Sequence, residues 1–379
     1  MKINNNLLLL GTTNYGEELS TSDKNKFSEL SSEFNVFVFT LGSSSKTKKF
    51  SNVTINYTKK PNFIFLQYLR FYFLNYFKLK NFIIKNKISI ISARDPITAL
   101  LPIFIRKFAS LEFKIILENH GDFKTQLIQQ RNSILIKKFG FFIDLITKKV
   151  LKNVDILRGV SVQNTNKFLA NNNDVKYFNF PAWVDNIIFY NTGLENRKNL
   201  LFVGNVIERK GVYFIIESLK KFLLENKDVH LNIVGSQPDI KYLKKCQKLI
   251  KEYNLNKNIT FLTKKSSEEV SKLMNESKIL LMASTSEGLP RVLIESGLCG
   301  LPAIATKIDG VENPFSFEGG TSTFEILNSK EFEKLVNKLY FDEQYWIKKS
   351  IASENISLKL SGKGNFVQNW KKLIGLLNE

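Results

Sequence analysis

Two stretches of the sequence place charged side chains where a phosphorylated, hydroxyl-rich ligand would need them. The first is SKILLMASTSEGLPRVLIESGLCGLPAIAT, residues 277–306. An apolar run ends near Ala283, the polar loop Ser284–Leu289 follows, and Pro290 stands where a first helical residue is expected. A helix start there offers free backbone N–H groups to an anion. Glu287 lies in the loop and Glu295 lies inside the helix. Each ionised carboxylate has about four acceptor positions, so the two can hold several hydroxyls of one ligand. The plainer alternative leaves Glu287 as a solvated loop residue and pairs Glu295 with Arg291 at i,i+4. The second stretch is FVGNVIERKG, residues 202–211, with Arg209 and Lys210 between a strand and a helix. Cations there can neutralise a diphosphate, Lys210 as a point charge; a solvated basic turn is the alternative. An anion-binding helix end beside hydroxyl-gripping carboxylates suits a sugar linked to a nucleoside diphosphate.

The elements that must position these groups alternate along the chain. The run Leu7–Leu10 is followed by Gly11 and Gly16, a helix capped by Ser22 or Asp23, and a β-rich run Asn35–Leu41. Ser43–Lys49 reads as a polar, basic loop, and an aromatic helix runs from Pro61 to about Lys87. Strands at Ile88–Ser92, Phe113–Glu118 and Ile156–Val162 then alternate with helices at Ile97–Phe108 and Ser133–Lys152. The pattern restarts at Leu200–Gly204 and continues through helices at Val212–Glu225, Ile240–Tyr253 and Pro290–Cys299. Such alternation means parallel sheets with helices on both faces. In open sheets of this kind, ligands bind beyond the carboxyl ends of the strands. The polar stretch Asn191–Asn199 is the expected linker between two doubly wound domains.

Composition narrows the function. At 379 residues, 43% hydrophobic and 24% charged, the chain is long enough for two cores and has neither a disordered nor a collagen-like balance. Two cysteines and two histidines give no zinc spacing, no disulfide framework and no histidine-built metal site, which fits a reducing cytoplasm. No signal-peptide core or spanning helix is expected: the four leucines near the start are too few, and Arg70 interrupts the longest apolar stretch. The net charge is +20, with 27 Lys+Arg against 14 Asp+Glu through residue 195 and 28 against 21 beyond it. No acidic residue occurs between Glu33 and Asp95. A field of that sign attracts polyanions: nucleic acid, an anionic membrane or phosphorylated substrates.

With those residues in view, the segment from about Leu200 to Gly310 resembles the family 4 retaining glycosyltransferases of the GT-B fold, the glycosyl transferases group 1. Their signature is two glutamates separated by seven residues, here Glu287 and Glu295 within EGLPRVLIESGLCGLPAIAT. VGNVIERKG is similar to the family's glycine–arginine…lysine–glycine loop, and RDP (Arg94–Pro96), ENHG (Glu118–Gly121) and FPAWVD (Phe180–Asp185) occupy family-like positions. The resemblance implies two Rossmann-like doubly wound domains facing across a cleft that closes on the donor. Their expected extents are 1–190 for the acceptor-binding domain and 199–354 for the nucleotide-sugar domain, with a helix over 355–379 returning to the first. It implies that Glu295 holds the ribose hydroxyls. Glu287 would bind hydroxyls of the donor sugar, with the N–H groups of Gly288 and Leu289 near sugar and phosphate. Lys210 would stabilise the departing diphosphate. His120 would lie across the cleft beside the sugar, a hydrogen-bonded structural histidine being the alternative, and Gly11 would admit the donor to the backbone. Departures are Asn205 where the family has arginine, for which Arg209 can substitute, Pro181-Ala182-Trp183 in place of proline–asparagine–glycine, and no paired glycine beside Gly11.

The implied reaction moves a sugar from a nucleoside-diphosphate donor, UDP- or GDP-linked, to a glycan or lipid-linked acceptor, with retention and no metal ion. Surface polysaccharide or lipopolysaccharide synthesis is the expected setting, in the cytoplasm or on the inner face of the cell membrane. A sugar-nucleotide epimerase would share the fold. A basic nucleic-acid-binding protein is the alternative of another class, but no helix-turn-helix, RNA-recognition aromatic signature or zinc finger is found. Residues 61–87 allow two readings, a Phe-built core helix or an aromatic, lysine-flanked helix at an anionic membrane, and the basic residues of Ser133–Lys152 add to the second.

Overall fold

Short apolar runs between turn residues become strands, and in the computed structural model these strands assemble into two sheets. The structure describes residues 4–13, 15–16, 18–59, 64–121, 140–169 and 175–378. In the helix Ile64–Lys85 side chains are described from Asn75, and in the helix Gly140–Leu151 from Phe142. The start of each expected helix, 61–63 and 133–139, lies outside the described residues.

The first sheet contains β1 (Asn6–Leu10), β2 (Asn35–Gly42), β3 (Lys46–Phe50), β4 (Val53–Lys59), β5 (Ile90–Ala93), β6 (Lys114–Asn119), β7 (Ile156–Gly159) and β8 (Tyr177–Asn179). Their order is β3-β4-β2-β1-β5-β6-β7-β8, parallel throughout except for the antiparallel β3–β4 pair. The stretch expected as a basic loop is therefore partly a strand. Its lysines obscured the strand signal, yet an edge strand tolerates lysine because one side faces water. The leucine run of β1 is buried on both faces. Leu7 packs with Phe27, Leu30, Trp370 and Leu373 from the helices Thr21–Ser31 and Asn365–Gly375. Leu8 and Leu10 pack on the other face with Leu79, Phe82, Leu101 and Ile105 from the helices Ile64–Lys85 and Pro96–Phe108. A doubly covered parallel strand reads as an unbroken apolar run for this reason.

The second sheet contains β9 (Asn199–Val203), β10 (Leu231–Val234), β11 (Ile259–Leu262), β12 (Ser277–Met282), β13 (Ala303–Thr306) and β14 (Thr321–Phe324). All pairs are parallel and the order is β11-β10-β9-β12-β13-β14. The order reverses between β9 and β12, the switch point at which doubly wound sheets open a ligand crevice.

The chain divides into two units, Met1–Trp183 with Gly364–Glu379, and Val184–Lys363. Val184, Ile188 and Phe189 are already part of the second unit's core, so the passage falls before the polar stretch Asn191–Asn199. The helix expected over the last residues is two helices, Glu343–Ser361 and Asn365–Gly375. Gly364, at φ 80°, separates them, and only the second packs in the first unit. Among the described residues no helix is long and apolar enough to cross a membrane.

Candidate functional site

The loops that leave β9 and β12 meet at the switch point of the second sheet. β9 ends at Val203, and a single turn of 3-10 helix, Glu208–Lys210, leads to Gly211 and the helix Val212–Ser218. β12 ends at Met282, the loop runs to Pro290, and the helix Arg291–Leu298 begins. Pro290 takes the N-cap position, one residue earlier than the sequence suggested, with extended φ −69° and ψ 107°. A backbone bond from Thr285 N–H to the Arg209 carbonyl (2.9 Å) ties the loops together. Gly211 permits this approach. Its φ is +68°, and a Cβ there would fall 2.2 Å from the Ala283 carbonyl oxygen. The turn after β13 braces the loop similarly, since a Cβ on Gly310 would sit 2.2 Å from the Gly288 carbonyl oxygen.

Three of the expected site residues converge here. Lys210 Nζ lies 2.6 Å from Glu287 Oε1, and an Arg209 guanidinium nitrogen lies 3.0 Å from the same oxygen. Arg209 also donates to the Ser286 carbonyl. Glu287 is only 13% exposed, so it is no solvated loop residue. Burial alone would raise its pKa, but the charges of Lys210 and Arg209 outweigh burial and hold it below the ordinary carboxylate range. The cluster therefore carries two cations and one carboxylate, a net positive charge suited to a phosphate, with carboxylate oxygens suited to hydroxyls. Gly288 is buried and Leu289 half-buried in the same loop. Glu295, half-buried in the following helix, pairs with Arg291 at 2.9 Å. That pair is the i,i+4 alternative raised by the spacing. Asn205 is exposed beyond β9, where its carbonyl accepts from Ile207 N–H at 3.0 Å.

His120 and Gly11 belong to the first unit. Gly11 follows β1, its N–H bonded to the Phe39 carbonyl at 3.2 Å, and a Cβ there would lie 3.2 Å from Arg94 Cβ. His120 Nε2 is 2.8 Å from Glu118 Oε2, at the end of β6. Glu118 in turn accepts from Ser92 of β5 at 2.6 Å and from Arg158 of β7. Arg158 lies over the ring of Phe180 at 4.1 Å, and Trp370 of the returning helix flanks it. Burial would raise the Glu118 carboxyl, but Arg158 and the His120 hydrogen bond outweigh it and keep the group well below the ordinary range. An ionised carboxylate only accepts, so His120 donates from Nε2 and Nδ1 remains for other partners. Burial also lowers the His120 pKa, against the pull of Glu118. The sequence reading missed Glu118 and Arg158 as a pair. The available signal was a charged residue inside each of two short apolar strands, KIILEN and ILRG, where an ion must find a partner.

Among the described residues no group of three or more His, Cys, Asp or Glu is placed to hold a metal ion. The sequence profile of the family described as "Glycosyl transferases group 1" matches residues 185–374, half of the chain. An uncharacterized glycosyltransferase of Methanocaldococcus jannaschii is 34% identical over 128 residues, covering 34% of this chain and 33% of that protein. The chain spans less than two thirds of the length of this and the next curated relatives that it matches. Sucrose-phosphate synthase from Thermosynechococcus elongatus superposes with a TM-score of 0.80 at 15% identity over 98% of each chain. HepE of Anabaena, solved in complex with UDP and glucose, superposes with a TM-score of 0.73 at 13% identity, covering 97% of this chain and 99% of that one. At such identities the likeness is one of fold, two parallel α/β sheets in the GT-B arrangement of elements.

Proposed function

The chain belongs to the glycosyl transferases group 1 family, and from that premise we propose that it transfers a sugar from a nucleoside-diphosphate donor, most simply a UDP-sugar, to a glycan or lipid-linked acceptor. The observation that carries this reading is the Lys210–Glu287–Arg209 cluster at the β9/β12 switch point. Lys210 and Arg209 receive the diphosphate, Arg209 in place of the cation that Asn205 does not supply. Glu287 and the N–H groups of Gly288 and Leu289 hold the sugar, and Glu295 leaves Arg291 to hold the ribose. UDP as the nucleotide is suggested by HepE, which was solved with UDP and glucose. In the first unit, His120 and Gly11 serve the sugar and the acceptor side.

The transfer retains the anomeric configuration. The acceptor hydroxyl attacks the anomeric carbon on the face from which the diphosphate departs. The bond to the diphosphate oxygen breaks, the new glycosidic C–O bond forms, and the hydroxyl proton passes to a donor phosphate oxygen. The protein contributes position and the fixed positive charge that stabilises the leaving diphosphate. Lysine, arginine and helix N–H groups fill the role of a divalent ion, so the reaction proceeds in EDTA. The setting is the synthesis of a surface polysaccharide or lipopolysaccharide in the cytoplasm.

The test is transfer of labelled sugar from UDP-sugars to lipid extracts and oligosaccharides. Glu295→Ala and Lys210→Ala are expected to abolish transfer while the melting temperature stays within a few degrees of the parent's. Full activity in both variants would remove these residues from the site. Conversion of the free sugar nucleotide without acceptor would indicate an epimerase instead.

A further inference from the structure

We infer that the first unit docks on an anionic membrane surface through the outer face of three neighbouring helices. The helices Ile64–Lys85, Pro96–Phe108 and Gly140–Leu151 lie side by side, with Pro96–Phe108 touching both others. Their inner residues fill the core on one side of the sheet: Leu79, Phe82 and Ile105 in one cluster, Ala99, Val150 and Leu151 in the next. Their outward residues are not those of an ordinary solvated face. Phe77 is 69% and Phe108 68% exposed, and Ile84, Phe104, Phe142 and Leu145 are exposed as well. Phe104 and Phe108 stack on successive turns, with ring centroids 6.0 Å apart. Among the described residues, the helices on the opposite side of the sheet, Thr21–Ser31 and Asn365–Gly375, present no large exposed apolar side chain. The asymmetry therefore belongs to one face.

Charge selects the occupant. Lys78, Lys85, Lys107, Lys148 and Lys149 are exposed among these apolar groups. Asp144 is the one acidic residue on the described parts of the three helices. A protein partner would have to match scattered phenylalanines and lysines group by group. A bilayer with anionic headgroups supplies negative charge everywhere along the face and an apolar layer just below it. Apolar insertion and lysine attraction are the two signals that together give stable peripheral binding. The inference uses none of the residues assigned to transfer and stands whether or not that assignment holds. It would bring a lipid-linked acceptor to the unit that carries His120.

The experiment is flotation of the full chain with vesicles of phosphatidylcholine alone and with about one-third phosphatidylglycerol, at low and high salt. Binding is expected with the anionic vesicles and much less with the neutral ones. Lys107→Glu with Lys148→Glu and Lys149→Glu should weaken it on the order of 100-fold. Phe77→Ser with Phe108→Ser should weaken it about tenfold or more. All five positions are exposed, so the melting temperature and any shift with UDP should match the parent's. No binding to anionic vesicles would overturn the inference. So would phenylalanine variants that bind as well as the parent. Self-association abolished by the phenylalanine variants, with vesicle binding intact, would assign the face to a second copy and overturn it too.

Discussion

At Glu287 one carboxylate oxygen meets two cations, and this fixes how the site responds to pH. The folded carboxyl titrates below its ordinary 4.5. A group with a depressed folded pKa stabilises the native state above its unfolded value, and that contribution disappears as pH falls through the folded pKa. Glu287→Gln should therefore cost about 1–2 kcal/mol at neutral pH, leaving Lys210 and Arg209 without their counter-charge. The gap in melting temperature between parent and variant should close as the pH drops below 4.5. A constant gap from pH 7 to pH 3 would mean that the pair adds no stability through charge. His120 offers a second check at this scale. The chain has two histidines, so nitrogen-15 histidine labelling gives two imidazole spin systems. His120 should show the Nε2–H tautomer and titrate below 6.5, and Glu118→Ala should release that tautomer. An imidazole protonated at Nδ1 in the parent would contradict the Glu118 contact.

Gly211 shows what the elements contribute. The β9 and β12 loops can share a backbone bond and an ion cluster only because the chain turns left-handed there without a side chain. Gly211→Ala should cost about 1–3 kcal/mol in backbone strain and displace the loop against Ala283. Nucleotide affinity should fall with stability. Gly375→Ala, with open space at its Cβ, is the matched control and should leave both unchanged or slightly raised. Equal behaviour of the two variants in thermal melts would show that the loops do not depend on this approach. Both loops were legible in the sequence, because strand, glycine, charge and helix follow one another within ten or so residues. What the sequence could not expose is that Lys210 and Arg209 meet on one carboxylate oxygen of Glu287, 77 residues beyond Lys210. That depends on β9 and β12 being neighbours, a fact of strand order and not of local pattern. β3 was hidden for the opposite reason. Its alternation is carried by lysine and threonine, whose burial differs while their polarity does not.

Across the whole chain, two sheets could be read from the restart of alternating elements, but the exact crossings could not. Asn191–Asn199 has a linker's composition, yet Val184 and Ile188 had already joined the second core. The last residues read as one long helix because the pattern on both sides is helical, yet Gly362 and Gly364 interrupt it, Gly364 at a left-handed φ of 80°. The buried Trp370 and Leu373 then anchor the returning helix in the first unit, beside the aromatic box around Arg158. The exposed aromatic face was half legible. The sequence supplied phenylalanine and lysine, but only packing against the sheet decides which of them point outward. In the proposed reaction the second unit holds a nucleoside diphosphate between its β9 and β12 loops. Calorimetric titration of UDP and GDP in EDTA tests it most directly, with the parent beside Lys210→Ala and Glu295→Ala. The parent should bind one of the two saturably, with affinity weakened about 10- to 100-fold by loss of Lys210, as expected for a charged hydrogen bond, and weakened also by loss of Glu295. Binding of neither nucleotide by the parent, or undiminished binding in both variants, would contradict it.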